Sequence, residues 1–169
     1  MIGCNPYLVV PLLLTVALLQ TTALPALEIL GVKPELMLLM VLAWSLLRGV
    51  EEGLVWAFLG GLMLDLFSGG PVGASALALL VVSFLSGLAR GSVTRGSFVL
   101  PIGVALAGTL LYQTLFLLVI QLTRGTVPWT DGLFRMTLPS LAVNALLMPV
   151  IFWVMAWLDR KTGREEIGW

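Results

Sequence analysis

Long apolar runs separated by short charged clusters are the feature of this sequence that most constrains its fold. Most charged residues fall in five short segments: 33–35, 48–52, 90–95, 124–135 and 159–166. In hydrocarbon every backbone N–H and C=O must be bonded within the protein, so apolar runs fold as helices or as strands of closed barrels. Barrel strands alternate apolar and polar residues, and these runs do not. The pattern therefore predicts an all-α, polytopic membrane helical bundle.

Composition supports the same class of protein. Hydrophobic residues make up 59% of the 169 residues and charged residues only 11%, with a mean hydropathy of +1.06. A water-soluble domain carries roughly 25% charged residues, so this chain has too few charges to cover a water-exposed surface. The nine basic and nine acidic residues cancel, so no bulk attraction to nucleic acid is expected.

Charged and turn residues divide the chain into six predicted transmembrane spans. They cover residues 7–27, 35–47, 53–67, 74–89, 98–122 and 137–158. The second, third and fourth contain about 13 to 16 residues, whereas a full crossing takes roughly 20. They either cross with Arg48 and Arg90 reaching the interface, or form a re-entrant pair. No repeat or linker is visible, so we expect one membrane domain over 1–169, with a short charged cytoplasmic tail from about residue 159.

The distribution of basic residues predicts the orientation of the bundle. With six spans both termini lie on one side, which holds six basic residues: Arg48, Arg90, Arg95, Arg160, Lys161 and Arg164. The other side holds three: Lys33, Arg124 and Arg135. Because basic residues concentrate in cytoplasmic loops, we expect both termini to be cytoplasmic. The N-terminus lacks the basic segment and cleavage site of a signal peptide, so the first run is expected to be a permanent span.

Asp65 is the acidic residue that lies well inside an apolar run. A carboxylate within the bilayer costs on the order of 2.5–3.5 kcal/mol by insertion scales, and the last turn of a helix disfavours an anion further. A compensating contact is therefore expected, with Arg124 and Arg135 as candidates within the chain. Three roles stay open: capping the glycine-rich turn or pinning two helices, contact with a partner protein, and proton or ion movement.

Other small, polar and aromatic residues within the runs predict packing contacts. Gly53, Gly60 and Gly61 leave a shallow flank on which a neighbouring helix packs closely. Scattered polar residues are expected to form interhelical hydrogen bonds: Gln20, Thr21, Thr22, Gln113, Thr114, Gln121 and Asn144. The tryptophans lie mostly near span ends, which is typical of interfacial anchors: Trp44, Trp56, Trp129, Trp153, Trp157 and Trp169.

The residues needed for most reaction centres are missing from the sequence. It contains no histidine and a single cysteine, Cys4, which excludes histidine-based metal sites, Ser–His and Cys–His pairs and an intrachain disulfide. No phosphate-binding glycine loop occurs. A paired-carboxylate site needs two intramembrane acids, and Asp65 is the only candidate. We therefore expect no catalytic residue, no metal, no cofactor and no enzymatic activity.

The segment 34–77 resembles the core of the MreD family of bacterial rod shape-determining proteins. It opens with Pro34-Glu35 before an apolar run and passes through Arg48-Gly49, Gly53 and Gly60-Gly61 to Asp65. It ends with the sequence Ser-Gly-Gly-Pro-Val-Gly-Ala-Ser-Ala-Leu at 68–77. The resemblance marks nine residues for partner binding or for the structural motif: Pro34, Arg48, Gly49, Gly53, Gly61, Asp65, Gly70, Pro71 and Gly73.

The resemblance implies a non-enzymatic membrane scaffold of the elongation machinery (the elongasome), supporting lateral peptidoglycan synthesis and rod cell shape in the bacterial cytoplasmic (inner) membrane. Its implied direct partner is MreC, through a membrane helix, and its indirect partners are MreB and the RodA–penicillin-binding-protein synthase. The implied fold is similar to the substrate-binding subunits of energy-coupling-factor vitamin transporters. The alternative function is therefore a small-solute (vitamin)-binding subunit of an uptake transporter. A proton- or ion-conducting channel centred on Asp65 is a third hypothesis.

Overall fold

The computed structural model describes residues 6–23, 34–69, 71–92, 99–124 and 137–162, and these residues form six α-helices. The helices are α1 (Pro6–Leu18), α2 (Leu36–Arg48), α3 (Val50–Ser68), α4 (Ala74–Leu88), α5 (Val99–Arg124) and α6 (Leu138–Thr162). A π-helical turn, Leu19–Ala23, extends α1, and a 3₁₀ turn, Ala89–Ser92, follows α4. The predicted all-α helical bundle is confirmed.

Three stretches of the described residues are long and apolar enough to cross a membrane: Ala74–Gly91, Val99–Thr123 and Leu138–Lys161. The fourth predicted span reaches this length because the 3₁₀ turn prolongs α4. Two further apolar helices, Val9–Thr22 and Leu36–Arg48, are shorter.

Helix α3 is longer than the sequence predicts. It begins at Val50 and contains 19 residues, which corresponds to about 28 Å at 1.5 Å per residue. Glu51 and Glu52 lie in its first turn, where the helix dipole favours acidic side chains. At the other end of the chain α6 continues to Thr162, so the charged residues from position 159 onward begin as a helical turn.

Helix α2 lies at the centre of the bundle. All of its residues from Met37 to Leu46 are buried, and it contacts each of the other five helices. A helix that is apolar on every side is suited to this position, and apolar helices of about 10–14 residues are more typical of buried helices than of full spans. Protein surrounds α2, which accounts for its short length.

Two tryptophans belong to the core, so their predicted interfacial role is wrong. Trp44 is 1% exposed and Trp56 is 2% exposed, and their stacked rings, with centroids 4.4 Å apart, join α2 to α3. Aromatic stacking and apolar burial outweigh the interfacial preference of the indole here. Trp153 and Trp157 are exposed on α6, and the other two tryptophans lie outside the described residues.

Helices α2, α3 and α4 form two consecutive antiparallel hairpins. Gly49, with φ +93°, is the single non-helical residue between α2 and α3, and glycine adopts this backbone conformation without steric cost. The hydroxyls of Ser45 on α2 and Ser83 on α4 are 2.8 Å apart in the core. A Cβ at Gly53 would lie 2.3 Å from the Ser45 hydroxyl and 2.8 Å from that of Ser83. The missing side chain at Gly53 therefore lets three helices meet.

The contacts of α2 with α6 define two ends of the bundle. Glu35, just before α2, bonds to Asn144 on α6, and Arg48, at the last residue of α2, bonds to Asp159 on α6. The two helices therefore run parallel. We call the end with Arg48 the charged end, and the end with Glu35 and the 69–73 turn the turn end.

Candidate functional site

Asp65 joins the last turn of α3 to the first turn of α4. Its side chain is 2% exposed and accepts three backbone N–H bonds. Oδ2 accepts from Gly73 at 2.8 Å and from Ala76 at 3.4 Å, and Oδ1 accepts from Ser75 at 3.0 Å. The first N–H groups of a helix have no carbonyl partner within that helix. Asp65 supplies the missing acceptors and so caps α4.

Gly61 allows α4 to come close enough to be capped. It lies one turn before Asp65 and therefore on the same face of α3. A Cβ at position 61 would lie 2.4 Å from the Cα of Ala76 and 2.7 Å from its backbone nitrogen. Only a residue without a Cβ fits that approach. At the start of α4, Gly73 has φ +98°, a conformation that also favours glycine.

The cap explains how a carboxylate is accommodated at this depth. A helix N-terminus carries a partial positive charge of about half an elementary charge, and here that charge faces Asp65. Three N–H donors replace the hydration that a carboxylate loses on burial. The compensating group is therefore the backbone of α4. The two predicted partners cannot be compared with this cap, because Arg135 and the side chain of Arg124 lie outside the described residues.

A second polar cluster joins α2, α5 and α6 at the turn end. The Glu35 carboxylate accepts from Gln113 Nε2 at 3.3 Å and from Asn144 Nδ2 at 3.4 Å. Asn144 also accepts from the backbone N–H of Glu35 at 3.2 Å and donates to Thr109 Oγ1 at 3.1 Å. Asp65 is thus not the only acid within the bundle. The prediction that Asp65 is the only intramembrane acid is therefore wrong. In the sequence Glu35 lies at the boundary of a span, but in the structure its side chain bonds to α5 and α6 inside the bundle.

Between the Asp65 cap and this cluster lies a cavity of about 380 Å³, which we call the turn-end chamber. Glu35, Ser75 and Tyr112 line it, together with Gln20 and Phe116. The stacked rings of Tyr112 and Phe116 have centroids 6.0 Å apart. No lysine or arginine of the described residues lines the chamber. The described part of its wall therefore combines the Glu35 carboxyl group with hydroxyl, amide and aromatic groups.

The predicted interhelical hydrogen bonds form for three amide side chains and not for the three threonines, while the prediction for Gln121 stays untested. Gln113 and Asn144 form the bonds described above, and Gln20 accepts from the backbone N–H of Met37 at 2.8 Å, so these predictions are confirmed. Three threonines instead donate to carbonyls four residues earlier in their own helices: Thr21, Thr22 and Thr114. The prediction is wrong for them because a short hydroxyl side chain reaches the nearby backbone more easily than a neighbouring helix.

Arg48 connects several helices at the charged end. Its Nε and Nη2 donate to the side chain and backbone carbonyl of Asp159 on α6, and its Nη1 lies 3.8 Å from Glu52 Oε1 on α3. Arg90, after α4, donates to the carbonyl of Arg48 at 2.9 Å, where the helix dipole favours a cation. A Cβ at Gly49 would lie 3.1 Å from Arg90 Nη1. The Arg48-Gly49 pair therefore organises the junction of α2, α3, α4 and α6.

The nine predicted motif residues do not converge on one site. They lie at the charged end (Arg48 and Gly49), on the faces of α3 (Gly53 and Gly61) and at the turn end (Pro34, Asp65, Pro71 and Gly73), while Gly70 is outside the described residues. Pro34 is buried and lines the chamber, and the carbonyl of Pro71 accepts the N–H of Ala74 at 3.2 Å.

Within the described ranges, no group of three or more His, Cys, Asp or Glu residues is placed to hold a metal ion.

Comparison with known proteins gives one match. The family model described as MreD, rod shape-determining protein MreD, matches residues 1–161. Searches of the curated proteins and of the solved structures each found no match. The family match extends far beyond the 34–77 segment and covers all six helices almost to the end of α6. The chain therefore belongs to the MreD family of rod shape-determining membrane proteins.

Proposed function

We propose that this protein is a non-catalytic scaffold of the elongation machinery, which binds MreC and supports lateral peptidoglycan synthesis. Family membership gives the role in rod-shape determination. The proposal goes further than that role. It adds a scaffold mechanism, contact with the MreC membrane helix, and indirect contacts with MreB and the RodA–penicillin-binding-protein synthase.

The position of the motif residues is the observation that carries the proposal. Gly53 leaves room on α3 for the hydroxyls of Ser45 and Ser83, and Gly61 admits the backbone of α4. The Asp65 carboxylate accepts from three backbone N–H groups, that of Gly73 just before α4 and two in its first turn. These residues are engaged within the bundle and bind its helices together. A motif used in this way supports a fixed protein surface, which is the property that a scaffold requires.

The outer surface of the bundle suits a partner helix in the membrane. Large apolar side chains are exposed on α4 and α6, including Leu88, Leu146 and Trp153. Transmembrane helices associate through van der Waals packing on such surfaces. We place the charged end in the cytoplasm of a bacterial inner-membrane protein, because Arg48, Arg90 and the basic residues of the last turn of α6 lie there.

Depletion of the protein in its own rod-shaped bacterium tests the function. We expect depleted cells to lose their rod shape and to recover it when the wild-type chain is supplied. Cells that keep a normal shape and a normal pattern of lateral wall insertion after depletion would contradict the proposal.

The turn-end chamber favours a second candidate, the small-solute-binding subunit of an uptake transporter. Its volume of about 380 Å³ falls within the range of small-molecule sites. A vitamin that copurifies with the protein, together with an ATP-driven transporter module, would support this alternative over the scaffold.

A further inference from the structure

The turn-end chamber has a polar side and an aromatic side. Glu35 and Ser75 contribute a carboxylate and a hydroxyl, whereas Phe67, Tyr112 and Phe116 contribute rings. Ligand sites typically combine an apolar wall with a few convergent polar groups. The chamber therefore has the composition of a binding site as well as the size of one.

Glu35 is the acidic side chain among the described residues that line the chamber. Its two oxygens accept from the amides of Gln113 and Asn144, which are neutral donors. No ion pair joins Glu35 to a lysine or arginine among the described residues. Asp65, a second acid at this end among the described residues, is already bonded by three N–H groups. When ionised, a carboxylate in a low-dielectric setting whose described neighbours supply no countercharge attracts a cation strongly.

The rest of the wall favours the same sign of charge. Aromatic faces attract cations through their quadrupole, and hydroxyl oxygens such as that of Ser75 accept N–H bonds. An anionic ligand would meet Glu35 without any basic group of the described lining residues to bind it.

From the Glu35 carboxylate, the aromatic rings and the hydroxyl group of the wall, we infer that the turn-end chamber binds a small organic cation with an ammonium group. Glu35 recognises the ammonium group, and the rings of Phe67, Tyr112 and Phe116 enclose it. The ammonium belongs either to a free amine or to the ethanolamine headgroup of a membrane lipid. This binding site goes beyond the scaffold function and does not depend on it.

Thermal melts of the purified chain with matched probes test the inference. The probes are n-butylammonium, the neutral n-butanol and the anionic butyrate, each titrated into protein in detergent. We expect only butylammonium to raise the melting temperature progressively with concentration, because a ligand that binds the folded state stabilises it. Equal effects of the three probes, or no effect of butylammonium, would overturn the inference.

Three variants assign the effect to the chamber. Glu35→Gln keeps hydrogen-bonding capacity and removes the charge, so we expect binding to weaken by about tenfold, as for the loss of one charge-assisted hydrogen bond. Glu51→Gln removes the same charge from an exposed position at the charged end, and binding should be unchanged. Phe67→Leu, at a side chain that is 45% exposed, should weaken binding by about threefold through the loss of a cation–π contact.

If Glu35→Gln does not fold, Phe67→Leu decides, and unchanged binding in that variant overturns the inference. Native mass spectrometry in lipid nanodiscs then separates the two sources of the ammonium. Selective retention of phosphatidylethanolamine over phosphatidylglycerol supports the lipid headgroup, and a retained small amine supports a soluble ligand. All of these measurements use the isolated protein, so their failure leaves the partner-binding proposal untouched.

Discussion

Asp65 and Glu35 illustrate two ways in which a helical bundle accommodates a carboxylate. Asp65 takes its donors from backbone groups eight to eleven residues away, so its cap forms within the hairpin of α3 and α4. Glu35 takes its donors from side chains 78 and 109 residues away, so its cluster requires α2, α5 and α6 to be packed together. The first arrangement is local and the second depends on the complete fold.

We expect Asp65→Ala to destabilise the isolated protein by about 2 kcal/mol, since it removes the cap of a helix together with charge-assisted hydrogen bonds. Asp65→Asn keeps one acceptor oxygen and should lose about half as much. Thermal or denaturant unfolding in detergent measures both. If Asp65→Ala left the isolated protein as stable as the wild type while complex formation failed, the residue would serve a partner contact and not the cap.

Two glycine substitutions compare a tight contact with open space. Gly61→Ala should cost about 1–3 kcal/mol, because the new Cβ meets the backbone of Ala76 and overpacked sites lose stability to this extent. Gly103→Ala, in α5, is the control, since nothing lies within 4 Å of a Cβ there, and alanine favours a helix. Similar melting temperatures for the two variants would show that α3 and α4 are not in close contact.

At the scale of the elements, hydropathy predicts the helices well and their environments poorly. The apolar runs give all six helices, and Asp65 stands out because it is a carboxylate in such a run. The groups that bond to Asp65 cannot be identified from the sequence, because they are backbone N–H groups, which nearly every residue carries. Glu35 escapes notice for a different reason: its location beside the interior depends on how α2 packs against α5 and α6. The prediction that Trp44 is an interfacial anchor is wrong for the same reason, since a residue near a span end in the sequence can lie at the centre of the bundle.

The contact between α2 and α6 at the charged end should be cooperative. Arg48→Met and Asp159→Asn, alone and together, form a double-mutant cycle, for which we expect a coupling energy of about 1 kcal/mol because both side chains are partly shielded from solvent. Arg160, exposed on α6, provides the control cycle with Arg48 and should be additive. Additivity in both cycles would mean that the ion pair contributes nothing to the packing of these helices.

At the scale of the whole molecule, polar groups collect at the two ends and the central helix is buried between them. The parallel course of α2 and α6 and the two hairpins α2–α3 and α3–α4 agree with successive crossings in opposite directions. From the distribution of basic residues we propose that the charged end faces the cytoplasm, and this orientation would put the turn-end chamber on the opposite side of the membrane.

Cysteine labelling in spheroplasts tests this orientation. In a Cys4→Ser background, Val72→Cys introduces a thiol at a side chain that is 70% exposed at the turn end, and Glu51→Cys introduces one at the exposed charged end. A membrane-impermeant maleimide should label the first variant in intact spheroplasts and the second only after permeabilisation. The reverse pattern would invert the bundle, and labelling of both in intact spheroplasts would contradict the separation of the two ends by a membrane.

The central claim of the scaffold proposal is that this protein binds specific partner proteins. The most direct test is to tag the chain in its own bacterium, extract it in a mild detergent and identify the proteins that copurify with it. We expect MreC and, through it, the RodA–penicillin-binding-protein synthase, with an unrelated tagged membrane protein of similar size as the control. Recovery of an ATP-driven transporter module in place of MreC would contradict the scaffold and establish the solute-binding alternative.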